Sequence, residues 1–307
     1  MPAIDAVEET LDELEALLRR QGVEIAPGSR LQEALLFARQ VRYVQRAEAQ
    51  IQEADDRPLW REMHGIFDLA VRLRRAEADS PTKFEALRPW LRLFASSRGQ
   101  LAQTAPTTAG DQDSDKVFEL LVGLALLPHI DGLEPDRATG TNPDLLFNFA
   151  GRSWGIACKR LYSTRPAAFR DTVTKAISQI ERSPAEVGLV FVSLVNVMQH
   201  DLFWPMEGDN YVGLSGGAMR EVLEQEKTRL ADETLAFSDD DLAGVFEGAK
   251  AMPGVVHYLG TTYLTGSPDA PEQRTVQHAW SRGVVNELLE LFQDGLNSTS
   301  SNWRSAR

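Results

Sequence analysis

The chain is poor in the residues from which crosslinks and soft metal centres are made. Its 307 residues include a single cysteine, Cys158, so no internal disulfide can form, and a reducing, cytoplasmic setting is expected. Its five histidines are scattered, with none at i, i+4 spacing or beside a cysteine, so a zinc site has no support. No apolar run has the length of a membrane helix, and the acidic start MPAIDAVEETLDELE lacks the apolar stretch of a secretory signal; no membrane partner is expected. Neither a P-loop nor a G-x-G-x-x-G fingerprint is present. Positive charge is also scarce. The formal net charge of −13 disfavours nonspecific attraction to a polyanion.

The charge that is there is unevenly spread. Lys159, Arg160, Arg165, Arg170, Lys175 and Arg182 face only Asp171 and Glu181 over the same stretch, whereas acids outnumber bases from Arg220 to Lys250. A basic strip in an acidic protein can touch phosphate, and an acidic stretch can meet a basic protein partner.

Residues 1–98 read as an all-helical domain. DAVEETLDELEALLRRQG has apolar residues at helical spacing and Gly22 as a stop. Ser29 and Gln32 suit a capping box for a helix through about Glu53, with Arg39, Arg42 and Arg46 near one face. Pro58 opens a third helix; Ser80-Pro81 opens a fourth, which Pro89 should kink or split. Such a bundle suits contacts to a partner protein, a second copy or nucleic acid. Residues 99–114, rich in Thr, Ala, Gly and Pro, have the composition of a linker. Residues 115–296 then change character: an apolar helix capped by Ser114 or Asp115, two short strands, an amphipathic helix, the Val-rich strand EVGLVFVSLVNVM, a strand GVVHYLGTTYLT, and a closing helix from about Arg274 to Asp294. The expected class is α/β (α+β): a helical domain followed by a mixed-sheet core, with 297–307 as a frayed tail.

The two short strands, NPDLLFNFAGRSWGIACKR over 142–160, hold the chemistry. With Gly151-Arg152 as a type II′ turn, Asp144 falls opposite Lys159 on one face of the hairpin. A carboxylate beside an amine is either a structural ion pair or half of a hydrolytic site.

This stretch resembles the core of the PD-(D/E)XK nuclease superfamily, the restriction-endonuclease-like fold. Pro143-Asp144 stands where that family has its PD, and Lys159 stands where it has its lysine. Glu119, in DKVFELLVGLAL, takes the place of an acid on the family's first core helix, and Gln179, in AISQI, that of a glutamine on the next helix. The resemblance covers about residues 114–195. It implies a nuclease using Mg²⁺ or Mn²⁺ on nucleic acid, DNA foremost. Asp144 and Glu119 would hold metal with the Cys158 backbone carbonyl, Lys159 would position water, and Gln179, Arg160, Arg165 and Arg170 would contact the substrate backbone.

The sequence departs from the pattern at Ala157, where the family has its second acid. A methyl group ligates no metal. Three explanations stand: a site remodelled around Glu119, a silent nuclease fold that binds nucleic acid or protein without cutting, or an alanine introduced to disable an active enzyme. Each residue also has a structural reading. Asp144 can cap a strand, Lys159-Arg160 can be a solvated strand end, Glu119 can pair with Lys116, Gln179 can lie on an exposed face, and Cys158 reads as a small core residue. GLSGG (213–217) matches the G-x-S-x-G elbow of serine hydrolases, but GDNY before it is a poor strand, and a Gly-rich loop ahead of a helix is favoured.

Overall fold

The computed structural model describes residues 4–46, 57–135, 143–207, 210–234, 238–267, 270–283 and 287–297. The N-terminal third is helical: α1 (Ile4–Arg20), α2 (Arg30–Arg46), α3 (Arg57–Asp79), α4 (Pro81–Phe84) and α5 (Arg88–Ser96). Gly22 stops α1 at a φ of 66°, a left-handed conformation that suits glycine. Ser29 Oγ accepts from the Gln32 N–H at 3.2 Å and caps α2. Pro89 divides its helix into α4 and α5 through a short 3₁₀ turn, since it lacks an N–H to continue the ladder. The second helix beyond Arg46 and the side chains of Arg42 and Arg46 lie outside the described residues. Arg39 pairs with Asp12 and Glu15 of α1 at 3.2 and 2.8 Å.

Then follow α6 (Gln112–Leu126), β1 (Asp131–Pro135), β2 (Leu145–Phe149), β3 (Arg152–Arg160), α7 (Pro166–Glu181) and β4 (Val187–Ser193). A two-stranded ribbon, β5 (Met206–Glu207) and β6 (Asn210–Tyr211), leads to α8 (Gly216–Thr234), α9 (Asp239–Val245), the long strands β7 (Ala251–Ser267) and β8 (Ala270–Gly283), and α10 (Glu287–Asn297). The architecture is mixed α/β, with helices preceding a sheet of order β1-β2-β3-β4-β7-β8. The β3/β4 and β4/β7 pairs are parallel; the others are antiparallel.

The central strands are covered on both faces, so their side chains alternate between two cores. Ile156, Cys158, Leu189, Phe191, Val256 and Tyr258 pack with α6, α10 and the N-terminal helices. Ala157, Val190, Val192 and Val255 pack with α7. No described helix is long and apolar enough to cross a membrane.

Four expectations need correction. The cap of α6 is Asp111, whose carboxylate accepts from Ser114 N–H at 3.1 Å, and not Ser114 or Asp115. Strand β1 was not anticipated. Residues 274–283 form the larger, C-terminal part of β8 and not a helix, because they pair with β7 in unbroken register from Gly254↔Gly283 to Tyr263↔Arg274. Finally, the first part of 99–114 is buried: Leu101, Ala102 and Thr104 have 0% exposure, while 106 and 108–110 are exposed. Gly65 leaves room on α3 for Ala102 and Thr104 to pass. Thr104 Oγ1 donates to the Arg61 carbonyl at 2.9 Å, and Tyr258 on β7 donates to the Gln103 carbonyl at 3.3 Å. One apolar core therefore runs from Leu11 to Leu296, across the expected boundary. Arg72 reinforces this join, donating from α3 to the carbonyls of Gly295 and Leu296 and to Gln277.

Candidate active site at the end of strand β3

Hairpin β2–β3 brings acid and amine together through a register other than the expected one. Its turn is Ala150-Gly151, with positive φ at both residues (49° and 76°) as a type I′ turn requires. Leu145 pairs with Ile156 and Phe149 with Arg152. Carried one residue further, this register sets Asp144 against Ala157, not Lys159. The displacement is even, so no side chain changes face. Lys159 becomes a diagonal neighbour, and its Nζ lies 3.3 Å from Asp144 Oδ2.

Gly155 sets how Asp144 approaches. A Cβ there would stand 2.9 Å from Pro143 Cγ and 3.1 Å from Ala185 Cβ. Only a bare Cα lets Pro143 lie over β3 and aim the next residue at the strand end.

Asp144 is buried, and both its oxygens are engaged. Oδ2 accepts from the Cys158 N–H at 2.6 Å as well as from Lys159, and Oδ1 accepts from Gln179 Nε2 at 2.9 Å. Lys159 donates to Gln179 Oε1 at 2.6 Å. Asp144, Lys159 and Gln179 therefore close a ring, with the glutamine amide acting as donor to the acid and acceptor from the amine. Ala157 lies beside this ring without exposed surface, in the core that includes Phe169, Val173 and Ala176.

The other acid comes from the opposite face of the sheet. Glu119 on α6 is 3% exposed. Its carboxylate accepts from Lys116 Nζ at 2.8 and 3.0 Å and from Trp90 Nε1, on α5, at 3.2 Å. Burial, and then the negative charge of Asp144, push its pKa up to about 8, against the pull of Lys116. Burial likewise raises the Cys158 thiol well above its ordinary value, as expected of a core thiol.

The arginines do not join this cluster. Arg160 faces α6 with its side chain 1% exposed, its Nη2 donating to Gln103 Oε1 at 2.5 Å and to the Ser114 carbonyl at 2.8 Å, its Nε 3.4 Å from Asp115. A guanidinium so enclosed offers no accessible edge to a phosphate, which corrects its expected contact with substrate. Arg165 caps α7 and Arg170 lies early in that helix, both exposed.

The remaining motifs have structural roles. Ser215 Oγ accepts from the Ala218 N–H at 3.2 Å and heads α8. His200 is buried, with Nδ1 2.8 Å from Thr261 Oγ1 and Nε2 2.8 Å from the Val195 carbonyl. Asp201 pairs with Arg61 at 2.6 Å.

Asp144 and Glu119 are oxygen donors of the kind a hard divalent cation takes. Among the described residues no group of three or more His, Cys, Asp or Glu comes together. Trp90 and Gly155 escaped sequence reasoning. The tryptophan stands 29 residues before the acid it meets, on another helix, and no local pattern joins them. No protein-family model matches the chain, nor does any curated protein or any solved structure.

Proposed function

We propose that the chain is a metal-dependent nuclease of the PD-(D/E)XK type, hydrolysing phosphodiester bonds of DNA or RNA. One observation carries this reading: the closed Asp144–Lys159–Gln179 ring. The acid, amine and amide that the sequence resemblance singled out are in direct contact, although they come from three separate elements.

Asp144 and Glu119, with the Cys158 carbonyl, would hold Mg²⁺ or Mn²⁺. Bound there, the ion would supply Lewis-acid polarisation of a phosphoryl oxygen and a more acidic water. Lys159 would position the attacking water and steady negative charge on phosphate. Gln179 holds Lys159 and Asp144 in one orientation. The exposed bases of α7, Arg165 and Arg170, would draw the nucleic-acid backbone toward the site. Substrate, cofactor and a reducing, cytoplasmic compartment all belong to this proposal.

The test is cleavage of plasmid, single-stranded DNA and single-stranded RNA with Mg²⁺ or Mn²⁺. Activity should vanish in Lys159→Ala and Asp144→Asn; activity unchanged by Lys159→Ala would end the mechanism.

A second reading is favoured by Ala157, which has no exposed surface where a second acid would stand. In it the protein is a catalytically silent module that binds nucleic acid or a protein partner, or pairs with a second copy through its helical layer. Binding without cutting by the parent chain, with cutting gained in Ala157→Glu, would select this reading.

A further inference from the structure

We infer that Trp90 is a positioning residue for Glu119, which makes the N-terminal helical layer part of the active site. The inference rests on the metal-dependent reading above.

Glu119 projects from α6 into an interior where its carboxylate has two visible donors. Lys116 comes from its own helix, one turn back, and reaches both oxygens. Trp90 comes from α5 and reaches Oε2. The lysine ammonium rides on a flexible stem that is 26% exposed. The indole is 3% exposed and cannot reorient without opening the core. Lys116 makes the shorter contacts, and Trp90 adds a rigid donor from a second helix.

The indole packs along α6. Gly123 lies one helical turn past Glu119, on the same face. A Cβ on Gly123 would stand 3.6 Å from Trp90 Cζ3 and 3.3 Å from Leu145 Cδ2. The indole thus lies within ordinary contact range of α6 at this position, with its N–H one turn back, at the acid. The same glycine admits Leu145, the residue after Asp144. One position of α6 therefore meets both Trp90 and, more tightly, the strand that follows Asp144.

Outer donors to a metal-binding carboxylate fix its orientation, and their loss costs affinity for the ion without any change in the ligands. The test uses the full chain and Mn²⁺ as probe, with free ion measured by electron paramagnetic resonance. Trp90→Phe keeps an aromatic ring and removes the N–H. Phe94→Leu, at another buried position on α5 that has no N–H to lose, is the packing control. Thermal melts of both variants establish that each is folded. Trp90→Phe should bind Mn²⁺ about tenfold more weakly than the parent, while Phe94→Leu binds like the parent whatever its melting temperature. Equal affinity in Trp90→Phe and parent would overturn the inference. So would an equal loss in both variants, which would mark the effect as packing. A parent chain that binds no Mn²⁺ would remove the metal site itself, and this inference with it.

Discussion

The stability effect of Glu119→Gln can be worked out from the site's electrostatics. In the unfolded chain the carboxyl ionises near 4.5; in the fold, burial and Asp144 push it up to about 8. Between those pH values the folded protein keeps a proton that the unfolded chain has released. The unfolded state binds fewer protons, so stability falls as pH rises from about 4.5 to about 8 and is level above that. At roughly 1.4 kcal/mol per pKa unit, the full displacement is worth up to about 5 kcal/mol. Glutamine keeps the shape and still accepts from Trp90 through its amide oxygen, but it never ionises. The parent should therefore lose several kcal/mol relative to Glu119→Gln between about pH 5 and pH 8.5.

Other buried groups act in the opposite sense and cancel. Burial lowers His64 to about 3, His200 to about 4 and His257 to about 3. Below about 6.5 the unfolded chain takes up protons that these folded side chains refuse, so their contribution rises with pH over that range. It is common to parent and variant. Urea denaturation across the pH range, with both proteins in the same buffers, gives the difference curve. Parallel curves would show that Glu119 is ionised in the fold, and the account of a carboxyl kept protonated by burial and by Asp144 would be refuted.

Three further substitutions probe the frame around the site. Gly155→Ala places a methyl against Pro143 and should cost about 1–3 kcal/mol in chemical denaturation, as overpacking does; unchanged stability would refute the close contact. Ala150→Asn should stabilise by about 1 kcal/mol in the same assay, because alanine holds a φ of 49° there and Asn-Gly suits a type I′ turn; a loss of stability would mean a different turn. Arg160→Met should cost about 3 kcal/mol, the low end for breaking a buried pair since Asp115 is partly exposed; wild-type stability with weakened nucleic-acid binding would return Arg160 to a substrate role.

Long-range contacts account for most of what the sequence concealed. The Val-rich run of β4 is legible because a strand covered on both faces must be apolar throughout, and it is buried from Val187 to Ser193. The acid–amine pair survives a misplaced turn because a two-residue slip preserves the face of every side chain. Residues 274–283 were misjudged because half-buried alternation is weak evidence until a partner strand is known, and β7 is that partner. The segment around Ala102 and Thr104 resembles a linker in composition. Small side chains suit solvated coil, and they also suit a chain threaded against a glycine on α3. Nothing local distinguishes the two.

The charges around β3 give Ala157 a physical rationale. Asp144 has Lys159 as its ammonium partner, while Glu119, beside Lys116, is raised to about 8 and keeps its proton at neutral pH. A carboxylate at position 157 would be a second negative charge beside Asp144, in the apolar core beneath α7 and with no additional amine. Ala157→Glu should therefore destabilise the metal-free protein by about 3–5 kcal/mol, the cost of an uncompensated buried charge. In the nuclease reading a divalent ion binds the folded variant and not the unfolded chain, so saturating Mg²⁺ should restore part of that loss by mass action. The parent, already balanced, should gain much less from the same ion. Denaturation curves of both proteins with and without Mg²⁺ measure the two gains. Equal gains would mean that position 157 does not look onto the cation, and the placement of the metal beside Asp144 would fail with it.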